Sequence, residues 1–394
     1  MSENFGSEKG SLWSGALRSC IARFDSNVDS SKLEFYEFPS FVATVSDGLA
    51  HVLVGSIVSA DIGPYLAFAS RRQATGVNIY VSPAALSSMS ASATSEVMGA
   101  LSLQGEGFTI PVKVLGVDGT SLISVTALSG LKVVVQDESA GLEFLSHQGA
   151  SDAVDLVLGC GCEVLFIRDQ MIATYLGLEV ARSTHFEGRV VLEIGVGRND
   201  RMAKTWLGNS KSQTELLNES IGIVKRFRVA ASEFHPLAKL SIARWIRLVL
   251  KANPGLIEAK RVVPIELARD GTWPNRNLWS LKPATDPRGE DGDSLMYRGF
   301  DPSFEDDGLS FALAAGPLDD EYLVAVVGGI DLGAVAKLYE VARSLHGQGR
   351  RIKGSILVME DRNKILPIER LVDLAKFDLR SATILPTWKV IDRD

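Results

Sequence analysis

Two acidic side chains in the stretch Leu176–Arg198 have a spacing from which chemistry could arise. The segment LGLEVARSTHFEGRVVLEIGVGR holds two runs that alternate with period two and are rich in Leu, Val and Ile, joined by turn-type residues over Thr184–Gly188. A hairpin folded symmetrically about Phe186 sets Glu179 opposite Glu193, Gly177 opposite Gly195 and Ala181 opposite Val191. Leu176, Leu178 and Val180 then share the other face with Leu192, Ile194 and Val196. One face is apolar, and the other carries two carboxylates over a floor of small residues. Like charges directly opposed across a sheet repel, so the pair calls for solvent, a cation, a basic side chain or a shared proton. Read chemically, it is a metal-binding or acid/base pair. Read structurally, it is two solvated glutamates on a half-exposed sheet. Both readings hang on the register, because a slip of one residue sends every side chain to the opposite face.

A second candidate is cationic. Ile223–Arg261 holds nine basic residues against Glu233 and Glu258, a local net charge of +7 in a chain whose overall charge is −7. Pro236 suits a helix start and Asn253-Pro254-Gly255 a stop. Between them Ile242, Trp245, Ile246 and Val249 form an apolar stripe, with Arg244, Arg247 and Lys251 on another face. Trp245 belongs to the core on this pattern. Lys239, Arg244, Arg247 and Lys251 are either a solvated helix face or phosphate contacts, whose binding to nucleic acid would fall steeply with salt.

The elements that must position these residues read as α/β. Leu12–Phe24 has helical spacing and is expected to dock on the adjoining domain. An N-terminal α/β unit (33–137) has strands at Phe41–Val45 and His51–Ile57 about an Asp47-Gly48 turn, then alternating helices and strands that imply a parallel sheet. A central unit (138–270) has helices over Glu138–His147 and Asp152–Leu158, a strand Cys162–Ile167, the hairpin, and a helix Asn199–Leu207, in the order αβββα, with the basic helices after it. Ser212-x-x-Glu215 is a capping box for a helix to Arg228. Residues 271–318 read as a linker rich in Pro, Gly and Asp. The C-terminal unit (319–394) reads as a Rossmann-like βαβαβ arrangement, with Asp331 placed as a helix cap, as Asp61 is in the N-terminal unit.

The local order around the glutamates, with acids on the second and third strands, resembles the core of the PD-(D/E)xK nuclease-like superfamily over about fifty residues. The resemblance implies that Glu179 and Glu193 bind a divalent metal such as Mg²⁺ or Mn²⁺. It also implies a lysine two residues beyond the second acid, where this chain has Gly195. Arg198 would supply positive charge nearby, or the core would bind without cleaving. Leu192–Arg201 is also similar to an LEVGVGRxDR segment in a family of bacterial proteins of unknown function. A competing resemblance links VVLEIGVG (Val190–Gly197) to the first motif of SAM-dependent methyltransferases, although Asn199 stands where a third glycine is expected.

Composition bounds the rest. An apolar fraction of 46% and a charged fraction of 23% are those of an ordinary globular chain. No apolar run approaches a membrane span, and Met1–Gly10 lacks the apolar core of a signal peptide, so a cytoplasmic protein is expected. Cys160-Gly161-Cys162 has neither redox-pair nor zinc-knuckle spacing, and the five histidines form no HExxH. The leading expectation is nucleic-acid binding or processing. The alternatives are a non-catalytic scaffold for a protein partner and a methyltransferase.

Overall fold

The computed structural model describes residues 7–24, 28–38, 40–54, 61–81, 91–118, 121–125, 131–167, 170–206, 211–228, 240–269 and 308–385. The fold is α/β, with three sheets among these residues. Its strands are β1 (Tyr36–Glu37), β2 (Phe41–Ser46), β3 (Leu49–Val54), β4 (Gly76–Val81), β5 (Val112–Asp118), β6 (Ser121–Ser124), β7 (Leu131–Val135), β8 (Glu163–Ile167), β9 (Gln170–Tyr175), β10 (Leu178–Phe186), β11 (Arg189–Ile194), β12 (Arg261–Arg269), β13 (Leu309–Ala315), β14 (Glu321–Val327), β15 (Gly354–Glu360) and β16 (Leu379–Ile384). The helices are α1 (Ser7–Phe24), α2 (Gly63–Arg71), α3 (Ala91–Glu106), α4 (Leu142–Leu145), α5 (Ala150–Gly159), α6 (Gly197–Trp206), α7 (Gln213–Arg228), α8 (Ile242–Ala252), α9 (Ala334–Gly347) and α10 (Leu366–Asp373). No helix of the described residues is long and apolar enough to cross a membrane.

The N-terminal sheet runs β1-β2-β3-β4-β5-β6 and the C-terminal sheet β16-β15-β14-β13-β12-β7. Their pairing senses repeat. In each, a first strand and a hairpin are antiparallel, and the hairpin's second strand then begins two parallel crossovers: β3-α2-β4-α3-β5 and β14-α9-β15-α10-β16. The chain thus contains the same module twice, which the sequence pattern did not disclose. Leu131–Val135, expected in the N-terminal unit, pairs with β12 in the C-terminal sheet. Likewise β13 occupies the end of the expected linker, whose 271–307 portion lies outside the described residues.

The helices of both modules meet between the two sheets, and one apolar core takes residues from both sheets and from α2, α3, α9 and α10. Two equivalent loops from each module touch their counterparts, which marks a pseudo-twofold axis. At one end Thr109 N–H donates to Leu374 O and Lys376 N–H to Gly107 O, both at 2.8 Å. At the other, Asp61-Ile62-Gly63 abuts Asp331-Leu332-Gly333, each aspartate accepting the N–H of its own glycine at 2.8 Å. Each is a side-chain turn just ahead of its helix rather than the expected N-cap, because the N-cap positions fall on Ile62 and Gly333. The approach is so close that a Cβ on Gly63 would overlap the Leu332 carbonyl, and one on Gly333 the Asp61 carboxylate. Outside the N-terminal sheet, α1 buries Leu17, Cys20 and Ile21 against Val42, Leu53 and Tyr80, the docking that its spacing anticipated.

Burial, with Asp331 and Glu340 adding negative charge, pushes the Asp61 carboxyl up to about 7, against the opposing Gly63 N–H and Lys337. Gln104, fully buried, ties this junction together: its Oε1 accepts Ile62 N–H at 3.2 Å and its Nε2 donates to Glu340 at 3.2 Å. The folded state therefore holds a proton that the unfolded chain, with a value near 3.8, has released. Stability should fall as pH rises between those values and then level off. Asp61→Asn, which cannot ionise, should unfold at the same temperature as the parent near about pH 4 and be the more stable by on the order of 3 kcal/mol near about pH 8. Thermal unfolding across that range reads the difference, and a gap that fails to widen with pH would remove Asp61 as its source.

Candidate functional site

The central sheet is a four-stranded antiparallel meander, β11-β10-β9-β8, rather than the three strands expected between the helices. The extra strand is Gln170–Tyr175, joined to β10 by a two-residue turn, Leu176 and Gly177, with φ of 48° and 78°. The next turn is the same kind: Glu187 (φ 48°) and Gly188 (φ 77°) join Phe186 directly to Arg189. Paired positive φ values match the twist of a two-residue hairpin, so the reversal falls at Glu187-Gly188 and not at Phe186. The register consequently moves by three residues. Arg182, not Glu179, stands opposite Glu193, and Glu179 pairs with Thr174 on β9.

Paired residues point to one side of a sheet, so Glu163, Thr174 and Glu179 form a row across β8, β9 and β10. An irregularity between Glu179 and Ala181 brings Arg182 to the same face. There its Nε and Nη2 donate to the two Glu179 oxygens at 3.1 and 3.0 Å. Arg201 of α6 adds an ion pair at 2.6 Å, with both side chains almost fully buried. The two glutamates share a face as expected, but a guanidinium lies between them, and both Glu179 oxygens are engaged. The pair does not fit a divalent cation: Arg182 and Arg201 already supply the positive charge that a metal would bring. Arg198 falls within α6, with its side chain outside the described residues.

The glycine-rich stretch after β11 has a structural account. A Cβ on Gly195 would meet the Arg201 backbone. Asp200 accepts Val196 N–H at 2.8 Å and pairs with Lys204 at 2.8 Å, which anchors the first turn of α6. Leu192–Arg201 thus closes α6 onto the sheet and delivers Arg201 to Glu179. β11 is an edge strand of an antiparallel sheet, unlike the parallel strand that precedes a nucleotide-binding glycine turn. The Ser212/Glu215 capping box forms as expected, with reciprocal bonds of 3.3 and 2.7 Å.

The basic helix is also placed differently. α8 is sandwiched between the central sheet and the outer face of the C-terminal sheet, so it is buried on nearly every side. Arg247 is 1% exposed and bonds Glu266 of β12 at 2.7 Å, with Ile265 O and Phe311 O at 3.2 and 3.3 Å. Arg244, also buried, lies 3.9 Å from the other Glu266 oxygen. Both arginines expected on a phosphate-contacting surface therefore face the interior, because the C-terminal sheet covers the side of the helix that the stripe pattern left to solvent. Lys251 does reach solvent and pairs with Glu163 at 3.2 Å. Lys239 lies outside the described residues. Trp245 is in the core, as its spacing indicated.

What this packing leaves open is a cleft of about 470 Å³ at the end of the central sheet nearest the Leu176–Gly177 turn. Its walls are Cys160, Gly161 and Glu163 after α5, Thr174, Tyr175 and Leu176 at the turn, Lys225 on α7, and Trp245, Leu248, Val249, Ala252 and Asn253 along α8. Gly177 is needed here, since a Cβ would meet the Trp245 backbone. Arg228 steadies the start of α8 by donating to Leu240 O and Ser241 O at 2.5 and 3.0 Å, with its guanidinium over the Trp245 ring at 4.7 Å. The Thr174 hydroxyl is buried and has no hydrogen-bond partner among the described residues. Lys225 Nζ lies 5.6 Å from the Tyr175 ring centroid. Burial, and then the neighbouring Cys160, push the Cys162 thiol up to about 12, so it is a packed thiol and not a nucleophile. Sequence patterns missed the cleft because Gln170–Tyr175 was not recognised as a strand, although Leu176-Gly177 carried a turn signal.

No family model, no curated protein and no solved structure matches the chain.

Glu179→Gln should destabilise the protein by about 3–5 kcal/mol, since it strips the compensating charge from the buried Arg201 guanidinium and the half-buried Arg182. Glu193→Gln, at a half-buried position, should cost less than about 1 kcal/mol. Urea unfolding measures both, and equal effects would contradict the structural role of Glu179.

Proposed function

We propose that this protein is a non-catalytic binding protein whose central sheet and α8 enclose a small-molecule site. The observation that carries this reading is the cleft itself: aromatic and aliphatic walls from Tyr175, Leu176, Trp245, Leu248 and Val249, with polar groups from Glu163, Thr174, Lys225 and Asn253 set among them. Its volume of about 470 Å³ is in the range of small-ligand sites. A buried hydroxyl lacking a partner fits the same reading, because such a group costs free energy that a ligand can recover. A fragment screen by thermal shift tests it, run in parallel on the parent and on Ala252→Phe, which narrows the cleft from the exposed last residue of α8. Fragments that stabilise the parent should lose most of their effect in the variant. Stabilisers indifferent to the substitution, or none at all, would end the proposal. Mg²⁺, Mn²⁺ and SAM belong in the same screen as tests of the metal and methyltransferase readings.

A second reading, nucleic-acid binding, draws on a different surface from α8. An open groove of about 800 Å³ is lined by Lys260, Arg261, Arg351 and Lys353 together with Asp319, Asp320 and Glu321. Lys260 pairs with Asp319 at 3.0 Å and Lys353 with Asp320, whereas Arg261 and Arg351 have no acidic partner among the described residues. Binding of a labelled oligonucleotide here should weaken steeply with salt and fall in Arg261→Glu. Binding unaffected by either would discard this surface.

A further inference from the structure

We infer that the cleft beside α8 selects planar aromatic acids, a refinement that rests on its being a small-molecule site. Among the described residues, the charges around it are unbalanced in one place only. Glu163, the one acidic wall residue, is compensated by Lys251 at 3.2 Å. Lys225 is the one basic wall residue, and it has no carboxylate partner among the described residues. Its ammonium faces the ring of Tyr175, a geometry that leaves its N–H donors available to an anion. An electron-rich ring beneath a lysine attracts the ammonium without neutralising it. A carboxylate on a ligand would supply the missing counter-charge through a charge-assisted hydrogen bond.

The rest of the ligand is set by the walls. Tyr175 and Trp245 present aromatic surface, for which a flat ring is the closest complement because offset and edge-to-face packing add to its burial. Leu248 and Val249 extend the same apolar wall, so the body of the ligand has no partner for further charges. The Thr174 hydroxyl, on a residue that lines the cleft, can both donate and accept, and it suits a phenolic or ring N–H group of the ligand. The two buried arginine clusters are excluded as competing anion sites, since Glu179 and Glu266 already hold Arg201 and Arg247.

Isothermal titration of the full chain with 4-hydroxybenzoate and indole-3-carboxylate, each against its neutral carboxamide and against hexanoate, tests the inference. The aromatic acids should bind at least about tenfold more tightly than the amides and than hexanoate. Lys225→Met, at an exposed position that leaves the core untouched, should abolish the preference for acid over amide while retaining the amide's affinity. Thr174→Val should weaken 4-hydroxybenzoate more than benzoate. Amides binding as tightly as acids, or a Lys225→Met variant that keeps the preference, would overturn the aromatic-acid assignment while leaving a small-molecule cleft in place. No binding by any of these ligands would overturn it too. If the fragment screen is then also blank, the cleft reading falls with it.

Discussion

The seating of α8 is the constraint on which the central region depends, and a buried charge cluster sets it. Glu266 on β12 lies between Arg244 and Arg247, so that one turn of the helix is pinned to the C-terminal sheet. Removing one member of such a buried cluster costs several kcal/mol, because the remaining charge is left in a medium that cannot solvate it. This rotation of the helix about its axis brings both arginines to Glu266. In that rotation Trp245, Leu248 and Val249 face the open end of the central sheet. The cleft is therefore a by-product of electrostatic registration, and its walls come from elements far apart in sequence.

The same device appears once more. Glu179 is held between Arg182 and Arg201 as Glu266 is held between Arg244 and Arg247, and each cluster joins a helix to a strand. Neither carboxylate is presented to a ligand. Both give specificity of packing in a place where apolar contacts alone would allow neighbouring registers, a role that buried polar groups fulfil in other proteins. With these clusters in place, the central unit is fastened on one side to its own helices and on the other to the outer face of the duplicated body.

That duplicated body is the second organising feature. Two copies of one module enclose their helices between two sheets, and the equivalent loops of the copies meet along the axis. At Asp61 and Asp331 the two segments approach backbone to backbone, which only glycines at positions 63 and 333 permit. The cleft lies away from this axis, in the stretch between the two modules. Its walls all come from the intervening sheet and helices.

Much of the local structure was written in the order of the residues. The C-terminal strands and helices, the docking of α1, the Ser212–Glu215 cap and the core position of Trp245 all come from periodicity and capping chemistry, which act over a few residues. The hairpin register did not, because Phe186 and the Glu187-Gly188 pair are equally turn-like to composition. Only backbone torsion, with two successive positive φ values, decides between them. Nor could periodicity say that Arg244 and Arg247 face inward. A helix stripe shows which face is apolar, but whether a second sheet covers the charged face depends on β12, whose Glu266 makes that burial tolerable. The sequence alone therefore determined many of the local elements, though not β9 or β13. The tertiary structure decided which charges are neutralised, since pairing depends on distances across the fold that spacing along the chain does not encode.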